Sequence, residues 1–250
     1  ALVNHPNVAK TDLSKLRMVY YAASTMPVEL LRQAMATFPR CEFMQGYGST
    51  EAGMVTALTA EDHRQAAASD DRKALLSSCG RPLHCEVDIL DADNAGIGEI
   101  AVRSDRAMAG YWRNRTATNA VMNGGWLRTG DLGTLDKDGY LTIADRKHDM
   151  IVSGGENIYP REVEDALSQD PCVLEAAVFG LPDPHWVEKV AAAVVLRPGH
   201  SSTPDEMRDR VRSRLAGYKC PKQIFVCDDL PKSGAGKVLK KQLRQIYGNL

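Results

Sequence analysis

The fold is decided by the stretch Cys41-Glu42-Phe43-Met44-Gln45-Gly46-Tyr47-Gly48-Ser49-Thr50-Glu51. Its first half, from Cys41 to Gln45, predicts a short strand that runs directly into a glycine-containing loop. Upstream, Met18 to Ala23 predicts another buried strand, and a helix follows it as far as Phe38. A strand, a helix and a strand that ends in such a loop indicate α/β architecture. Ligands in these sheets gather at the carboxyl ends of strands, so we expect a binding site here.

Two further sections follow this α/β segment. From Cys85 to Ala144, short apolar runs separated by turn signals predict a small β-rich, barrel-like subdomain. Near residues 146 to 148 the pattern changes again, and the order helix, strand, strand, helix, strand, helix predicts a compact α+β domain of about 100 residues. Its elements are predicted at Pro160–Leu167, Cys172–Gly180, Val187–Leu196, Pro204–Leu215, Ile224–Cys227 and Lys237–Tyr247.

The composition is that of an ordinary globular protein. The chain has 250 residues, 44% apolar residues and a net charge of -1 from 31 basic and 32 acidic side chains. No global field therefore favours nucleic acid or an anionic membrane as a partner. No stretch approaches the roughly 20 apolar residues of a membrane span. The six cysteines have neither CxxC nor zinc spacing, which favours reduced thiols and a cytoplasmic location.

The glycine-containing loop offers a nucleotide its typical ligands. Gly46 and Gly48 let the backbone approach a ligand, and the hydroxyls of Ser49 and Thr50 suit phosphate oxygens. Glu51 can hold Mg²⁺, a hard cation that prefers oxygen ligands and bridges to nucleotide phosphates. Taken alone, the segment is equally well explained as a tight polar turn.

Three later segments carry similar chemistry, and each has a plain structural alternative. In Thr129-Gly130-Asp131, the carboxylate can accept two hydrogen bonds from a ribose diol, although such a turn is common. Arg146, in Asp145-Arg146, offers bidentate contacts to ribose or phosphate, or a surface ion pair. Ser153-Gly154-Gly155 precedes a proline-started helix as a flexible loop or an ordinary lead-in. In Ser233-Gly234-Ala235-Gly236-Lys237, the lysine can meet developing negative charge. The structural alternative is a basic helix start, which is less favourable because the helix dipole disfavours a cation at that end.

Together and in this order, the four segments resemble the adenylate-forming superfamily. It comprises acyl- and aryl-CoA synthetases, firefly-type luciferases and the adenylation domains of nonribosomal peptide synthetases. The resemblance runs from about Leu13 to Leu243 and is closest to the CoA synthetase branch. It implies that residues 1–147 are the C-terminal portion of a large nucleotide- and acyl-binding domain, with an α/β segment (1–80) and a β-rich subdomain (81–147). Residues 148–250 are then a small mobile C-terminal domain.

The resemblance also implies a role for each matching residue. Gly46, Tyr47 and Gly48 line the adenine, with Ser49 in the same nucleotide segment, Thr50 on phosphate and Glu51 on Mg²⁺. The remaining nucleotide residues are Asp131 at the ribose hydroxyls, Ile143 near the adenine and Arg146 beside the ribose. Lys237 is the adenylation lysine, and Thr50 and Glu51 act with it in catalysis. The acyl pocket is lined by Ala22, Ala23 and Ser24, and coenzyme A meets Gly154, Gly155, Trp186 and Lys219.

The implied reaction has two steps, with ATP, Mg²⁺ and coenzyme A as cofactors. A carboxylic acid, expected to be a fatty or aromatic acid, is first adenylated, and a thiol then displaces AMP after the small domain rotates. The hinge position, usually Asp or Lys in the family, is His148 here. The family's upstream phosphate loop is missing from the sequence, which predicts that the chain begins inside a longer protein and does not turn over alone. A homodimer is a further expectation.

Two alternatives to a CoA synthetase stay open. One is a peptide-synthetase adenylation domain, although Gln45-Gly46-Tyr47-Gly48-Ser49-Thr50-Glu51 matches the CoA-ligase form better than the Asn-x-Tyr-Gly-Pro-Thr-Glu form of those domains. The other is a non-catalytic fragment that only binds a nucleotide or a partner.

Overall fold

The structure is a computed structural model that describes residues 2–3, 5, 7–23, 26–234 and 236–248, with the backbone alone for Ala9, Asp70 and Asp71. The chain divides into two compact units, Ala1–Ile143 and Ala144–Leu250. All six cysteines are free. In the part of the chain that the structure describes, no helix is long and apolar enough to cross a membrane. The domain boundary between residues 147 and 148 stays a prediction.

The first unit begins with a four-stranded sheet of order β1-β2-β3-β4. Its strands are β1 (Met18–Ala22), β2 (Glu42–Ser49), β3 (Gly53–Leu58) and β4 (Arg81–Pro82). Strands β1 and β2 are parallel, as the strand–helix–strand pattern predicts, and helix α1 (Val28–Thr37) connects them. Helix α1 buries Leu31 and Ala34 against the same core as Phe43 of β2.

Helix α2 (Ala60–Ala68) has a complete capping box at its start. The Thr59 side chain accepts a hydrogen bond from the Asp62 backbone N–H, and the Asp62 carboxylate accepts one from the Thr59 N–H. This reciprocal pair satisfies two backbone donors that a helix start would otherwise leave without partners. A 3-10 helix at Asp70–Ser77 follows, and another lies at Val8–Lys10 near the start of the chain.

The β-rich section of the first unit is a five-stranded sheet of order β5-β6-β8-β7, with β9 paired to β8. Its elements are β5 (Glu86–Leu90), β6 (Gly98–Arg103), helix α3 (Arg115–Val121), β7 (Met122–Asn123), β8 (Trp126–Leu135) and β9 (Leu141–Arg146). The pairings β5–β6, β6–β8 and β7–β8 are antiparallel. The β1–α1–β2 segment and this antiparallel sheet together confirm the mixed α/β and β-rich character that the sequence predicts.

The second unit is a five-stranded sheet of order β11-β10-β13-β12, with β14 parallel to β13. Its elements are β10 (Ile151–Ser153), β11 (Glu156–Ile158), α4 (Pro160–Ser168), β12 (Val173–Asp183), β13 (Val187–Leu196), α5 (Pro204–Arg212), β14 (Gln223–Val226) and α6 (Lys240–Tyr247). Alternate residues of β13 enter two separate cores, because Val190, Ala192 and Val194 join one cluster and Ala191, Ala193 and Val195 the other. A strand that is covered on both faces explains the uninterrupted apolar run.

Candidate active site

The prediction of a loop from Gly46 onward is wrong, because Gly46, Tyr47 and Gly48 lie within strand β2. The strand continues because β3 pairs with it antiparallel from Gln45↔Leu58 to Ser49↔Gly53. The turn between the two strands consists of Thr50, Glu51 and Ala52. The Ser49 side chain accepts a hydrogen bond from the Ala52 N–H at 3.1 Å, which fixes the start of that turn. Ser49 and Thr50 are exposed.

Close packing within the sheet requires the glycines of this segment. A Cβ at Gly46 would lie 2.1 Å from the Tyr20 hydroxyl, and one at Gly48 would lie 2.1 Å from the carbonyl oxygen of Gly53. Contacts so short do not occur at real Cβ atoms. A side chain at Gly48 would therefore require a shift of the β3 backbone, and one at Gly46 would require the Tyr20 and Met54 side chains to move away. The glycines therefore serve the sheet itself, whatever ligand approaches it.

The predicted acyl-pocket segment lies beside this strand. Ala22 pairs with Gly46 in the parallel register of β1 and β2. Ala23 follows with φ of 71°, a left-handed conformation that a residue other than glycine adopts at some cost. Both alanines are exposed. Ser24, the third predicted acyl residue, lies outside the described residues.

The Tyr47 hydroxyl donates a hydrogen bond of 2.8 Å to Asp131 Oδ2, across 84 residues of sequence. This contact brings the first two predicted nucleotide segments together. Burial raises the pKa of Tyr47, and the negative charge of Asp131 raises it further. The phenol is therefore a neutral donor at physiological pH, and it holds the carboxylate in a fixed orientation.

Asp131 follows Gly130 within strand β8. Gly130 has φ of 75°. The Thr129 hydroxyl donates to the Ile100 carbonyl at 2.9 Å and accepts from the Asp131 N–H at 3.2 Å. Ile143 and Tyr47 pack against one core cluster, formed by Ala52, Val55, Ile100, Val102, Leu127 and Leu141. The predicted adenine and ribose residues of the first unit thus share one support.

Glu51 has a partner that sequence reasoning missed. The Tyr111 hydroxyl donates to Glu51 Oε1 at 3.2 Å, and the Met108 N–H donates to the Glu51 carbonyl at 2.7 Å. Partial burial raises the pKa of Tyr111, and its hydrogen bond to Glu51 adds to the rise. The sequence signal was the aromatic pair Tyr111-Trp112 within a polar stretch.

The donor set around Glu51 fits a magnesium ion that a nucleotide brings with it. Protein-bound Mg²⁺ keeps several waters and needs only one or two carboxylates when substrate phosphates supply the other oxygens. Among the described residues, no group of three His, Cys, Asp or Glu side chains could hold a metal ion. A single carboxylate in a turn, next to exposed hydroxyls, suits the first arrangement and not an all-protein metal cage.

In the second unit, Arg146 is the exposed last residue of β9. Its backbone N–H donates to Asp145 Oδ1 at 2.7 Å. Asp145 Oδ2 accepts from the Arg161 N–H at 2.8 Å, so this carboxylate joins the end of β9 to the start of helix α4. His148, the predicted hinge, lies two residues on in an exposed turn, with Nε2 3.5 Å from Asp149 Oδ2.

Two of the predicted coenzyme A residues are in contact. The Gly154 N–H donates to the Trp186 carbonyl at 2.9 Å. A Cβ at Gly154 would lie 2.8 Å from the Trp186 ring, and Gly154 has φ of 61°. Gly155 has φ of 86° and open space around it. The neighbouring Val187, which pairs with Ser153, has φ of 72°, an outlier for a β-branched residue.

Lys219, the fourth predicted coenzyme A residue, is already paired with a carboxylate. Its Nζ lies 2.8 and 2.7 Å from the two carboxylate oxygens of Glu162 in the first turn of helix α4. Its side chain is only 21% exposed. The carboxylate of Glu162 therefore already neutralises this ammonium group and occupies two of its three donors.

Lys237 lies in a hairpin, so the prediction that it begins the last helix is wrong. We call residues Pro231 to Leu239 the Lys237 hairpin. Lys232 pairs with Val238, and the Leu239 N–H donates to the Pro231 carbonyl at 2.8 Å. Near the tip, the Lys237 N–H donates to Ser233 Oγ at 3.2 Å. Helix α6 begins only at Lys240, because these cross-strand bonds use backbone groups that a helix would need.

The fold is that of an adenylate-forming type of protein, and comparison with known proteins gives the same class. The family model described as AMP-binding enzyme matches residues 1–112, and that described as AMP-binding enzyme C-terminal domain matches residues 162–237. The chain belongs to the AMP-binding enzyme family. A medium/long-chain-fatty-acid–CoA ligase from Mycobacterium tuberculosis is 40% identical over 98% of this chain and 44% of its own length.

Solved structures agree with this assignment. The amide bond synthetase McbA from Marinactinospora thermotolerans has a TM-score of 0.87 and 38% identity, over 98% of this chain and 49% of that one. The o-succinylbenzoate CoA synthetase from Bacillus subtilis, in complex with its acyl-adenylate intermediate, has a TM-score of 0.81 and 34% identity, over 95% and 48%. The chain thus spans about half the length of the relatives that it matches.

Proposed function

We propose that this chain is the nucleotide- and thiol-handling half of an ATP-dependent acyl-CoA synthetase. The observation that carries the proposal is the hydrogen bond from Tyr47 to Asp131, which holds a carboxylate beside the Gly46–Gly48 strand. A fixed carboxylate of this kind accepts hydrogen bonds from a ribose diol, and the strand beside it offers a flat surface to the adenine. Ala22 lies next to Gly46, so the acyl group and the adenine would occupy neighbouring positions.

In the first step, a carboxylate oxygen of the acid attacks the α-phosphorus of ATP, and the bond to pyrophosphate breaks. Glu51 would hold Mg²⁺, which neutralises charge on the phosphates, while Thr50 contacts a phosphate oxygen. Lys237 would approach the same oxygens, since an ammonium group stabilises the charge that develops on them. Gly234 and Gly236, close to Lys237 in its hairpin, are exposed, which suits an approach from outside.

In the second step, the sulfur of coenzyme A attacks the acyl carbon and AMP leaves. Gly154, Gly155 and Trp186 would line the path of the thiol, and Lys219 would exchange Glu162 for an anionic group of the cofactor. The substrate acid is a fatty or aromatic acid, because the relatives include fatty-acid, feruloyl and indoleacetate ligases. A cytoplasmic location and a homodimer remain predictions.

The test is pyrophosphate exchange into ATP by the intact enzyme that contains this chain, with a panel of fatty and aromatic acids. We expect exchange that depends on one class of acid, a large loss in Asp131→Ala and Lys237→Ala, and thioester formation when coenzyme A is added. Acid-dependent exchange without a thioester product would instead favour the peptide-synthetase type. Nucleotide binding without exchange would favour a non-catalytic role. The 250-residue chain alone should not turn over.

The predicted hinge has its own test. His148→Pro restricts the backbone of the turn that would rotate between the two steps. We expect thioester formation to fall while pyrophosphate exchange is retained. An equal loss of both activities would remove the hinge assignment.

A further inference from the structure

A buried cluster of charges lies at the base of the Lys237 hairpin, and the two-step reaction leaves it without a role. Lys240 Nζ lies 2.8 Å from Glu164 Oε1 and 4.0 Å from Asp145 Oδ2. The side chains of Lys240, Glu164 and Asp145 are 13%, 23% and 8% exposed, so the pair is largely but not completely buried. Glu164 Oε1 also accepts the Val178 N–H of β12 at 2.8 Å. The cluster therefore joins α6, α4, β12 and the end of β9 within one unit.

Position 240 is energetically unfavourable for a positively charged side chain. It is the first residue of helix α6, whose first turn carries no acidic residue. The N-terminal end of a helix bears partial positive charge, which disfavours an ammonium group there. Burial disfavours it further unless a carboxylate pairs with it. The ion pair with Glu164 offsets both unfavourable effects. A hydrophobic side chain at this position would incur neither effect and would need no partner.

Glu164 is equally dependent on Lys240. Burial raises the pKa of Glu164, while the positive charge of Lys240 lowers it. Removal of Lys240 would therefore favour the protonated acid. The two groups form a mutually dependent pair, in which loss of either partner leaves the other charge buried without compensation.

The cluster connects two residues that the proposed function places on the nucleotide. Lys240 immediately follows the closing bond of the Lys237 hairpin, from the Leu239 N–H to the Pro231 carbonyl. Asp145 immediately precedes Arg146 and is hydrogen-bonded to the start of helix α4. One turn along α6, Arg244 Nη2 lies 3.1 Å from Asp149 Oδ1, just after the predicted hinge. Helix α6 thus presents two cations, four residues apart, to carboxylates on either side of the turn at His148.

From this arrangement we propose that Lys240 and Glu164 are positioning residues for adenylation, which hold the base of the Lys237 hairpin in a fixed place relative to the β9 end that carries Arg146. The inference rests on the proposed function for its chemical meaning. Its structural content, a hairpin held by one buried ion pair, is independent of which acid is activated. Catalysis is sensitive to such positioning, because a misplacement of about 1 Å can cost roughly 100-fold in rate.

The test compares Lys240→Met and Glu164→Gln in the intact enzyme. We expect kcat of pyrophosphate exchange to fall roughly 10- to 100-fold with little change in the KM for ATP, since a mispositioned Lys237 loses contacts in the transition state. Thioester formation from supplied acyl-adenylate should be retained. Lys240→Arg keeps the charge and should recover most of the exchange rate. Glu164→Gln keeps the oxygen that accepts the Val178 N–H, so it covers the case in which Lys240→Met does not fold.

A matched control is available in the same hairpin. Lys232 forms an ion pair of 2.7 Å with Glu175, but its side chain is 32% exposed and it lies outside the cluster. Lys232→Met should leave exchange near the wild-type rate. Hydrogen exchange of the amides at Gly236, Lys237 and Leu239 should accelerate in Lys240→Met and not in Lys232→Met.

The outcomes separate this proposal from the proposed function. Absence of pyrophosphate exchange in the wild type would reject the function and leave the amide measurement as the test of the ion pair. With an active wild type, equal losses in both half-reactions, or equal effects of Lys232→Met and Lys240→Met, would overturn the positioning role. Unchanged amide exchange in a folded Lys240→Met variant would overturn it as well.

Discussion

The Gly46–Glu51 segment and the Lys237 hairpin are both rich in glycine, but they use it for opposite reasons. A Cβ at Gly48 would lie 2.1 Å from the Gly53 carbonyl oxygen, so packing against the β3 backbone requires glycine there, while a Cβ at Gly46 would lie 2.1 Å from the Tyr20 hydroxyl. At Gly234 and Gly236 nothing lies within 4 Å of such a Cβ. The comparison teaches that glycine in the first segment answers to close packing between strands, whereas glycine in the second occupies a turn with open space around it.

The two units also differ in how one buried polar group in each is satisfied. In the first unit, His63 is 1% exposed and is held by neutral partners, with Nε2 2.9 Å from the Tyr21 hydroxyl and Nδ1 2.7 Å from the Thr59 carbonyl. In the second unit, the corresponding interior contact is the charged pair of Lys240 and Glu164. At His63 the first unit therefore relies on neutral hydrogen bonds, whereas at Lys240 the second unit relies on paired charges, each of which depends on the other.

The largest expected effect tests the packing half of this comparison. Gly48→Ala should lower the free energy of unfolding by about 3 kcal/mol, because its Cβ meets backbone atoms of β3 that cannot move independently. Gly234→Ala, in open space, is the matched control and should change it by less than about 0.5 kcal/mol. Urea denaturation of the intact protein measures both. Similar values for the two variants would contradict the distinction.

A second prediction concerns the neutral interior of the first unit. Burial lowers the pKa of His63 below its ordinary value. The unfolded state therefore binds more protons than the folded state between pH about 6.5 and the lowered pKa. Stability is fully present above pH about 6.5 and falls as the pH drops through this window, by up to about 1.4 kcal/mol per pH unit.

His63→Gln removes the titrating group and should flatten the profile of unfolding free energy between pH 5 and about 7. A pH profile that is the same in the wild type and in His63→Gln would contradict the lowered pKa of His63.

A third prediction separates conformation from packing at the hairpin tip. Gly236 has φ of 78°, whereas Gly234 has no positive φ, and both have open surroundings. Gly236→Ala should therefore cost about 1 kcal/mol while Gly234→Ala costs almost nothing. The two thermal midpoints of the intact enzyme give the comparison, and equal midpoints would refute a conformational requirement at Gly236.

The smallest expected effect is a gain in stability. Val187 has φ of 72° although it is β-branched, and its side chain is 70% exposed. Val187→Gly should relieve this strain and raise the free energy of unfolding by up to about 1 kcal/mol, after the greater entropy of glycine in the unfolded chain is deducted. Val187→Asn, in which asparagine tolerates the same conformation, should have a free energy of unfolding between those of the wild type and Val187→Gly. A loss of stability in both variants would show that the side chain makes necessary contacts.

The sequence predicts elements well where periodicity and caps act locally. Helix α4 at Pro160–Ser168 and strand β13 at Val187–Leu196 agree with the pattern, since a proline start and an uninterrupted apolar run are local signals. The glycines of β2 were misleading, because pairing with β3 outweighs their poor strand propensity. Lys237 to Leu239 have the composition of a helix start, but pairing of Val238 with Lys232 and its packing on the core prevent one.

The sequence predicts the site residues as separate segments. It does not predict which of these residues contact one another. The hydrogen bond from Tyr47 to Asp131 spans 84 residues, and that from Tyr111 to Glu51 spans 60. No local pattern specifies which phenol meets which carboxylate at such a separation, because the answer depends on how β2, β8 and the intervening turn are paired. The buried cluster around Lys240 was missed for the same reason, since its three charges come from three distant elements.

The contact of Trp186 with Gly154 has an optical consequence. The chain has three tryptophans, and Trp186 is the one that lies beyond residue 143. A version in which Trp112 and Trp126 are replaced by phenylalanine would emit from a single indole, whose ring faces the loop that is expected to meet the thiol. Its emission wavelength and quenching would then follow movement of that loop in real time, without any added dye.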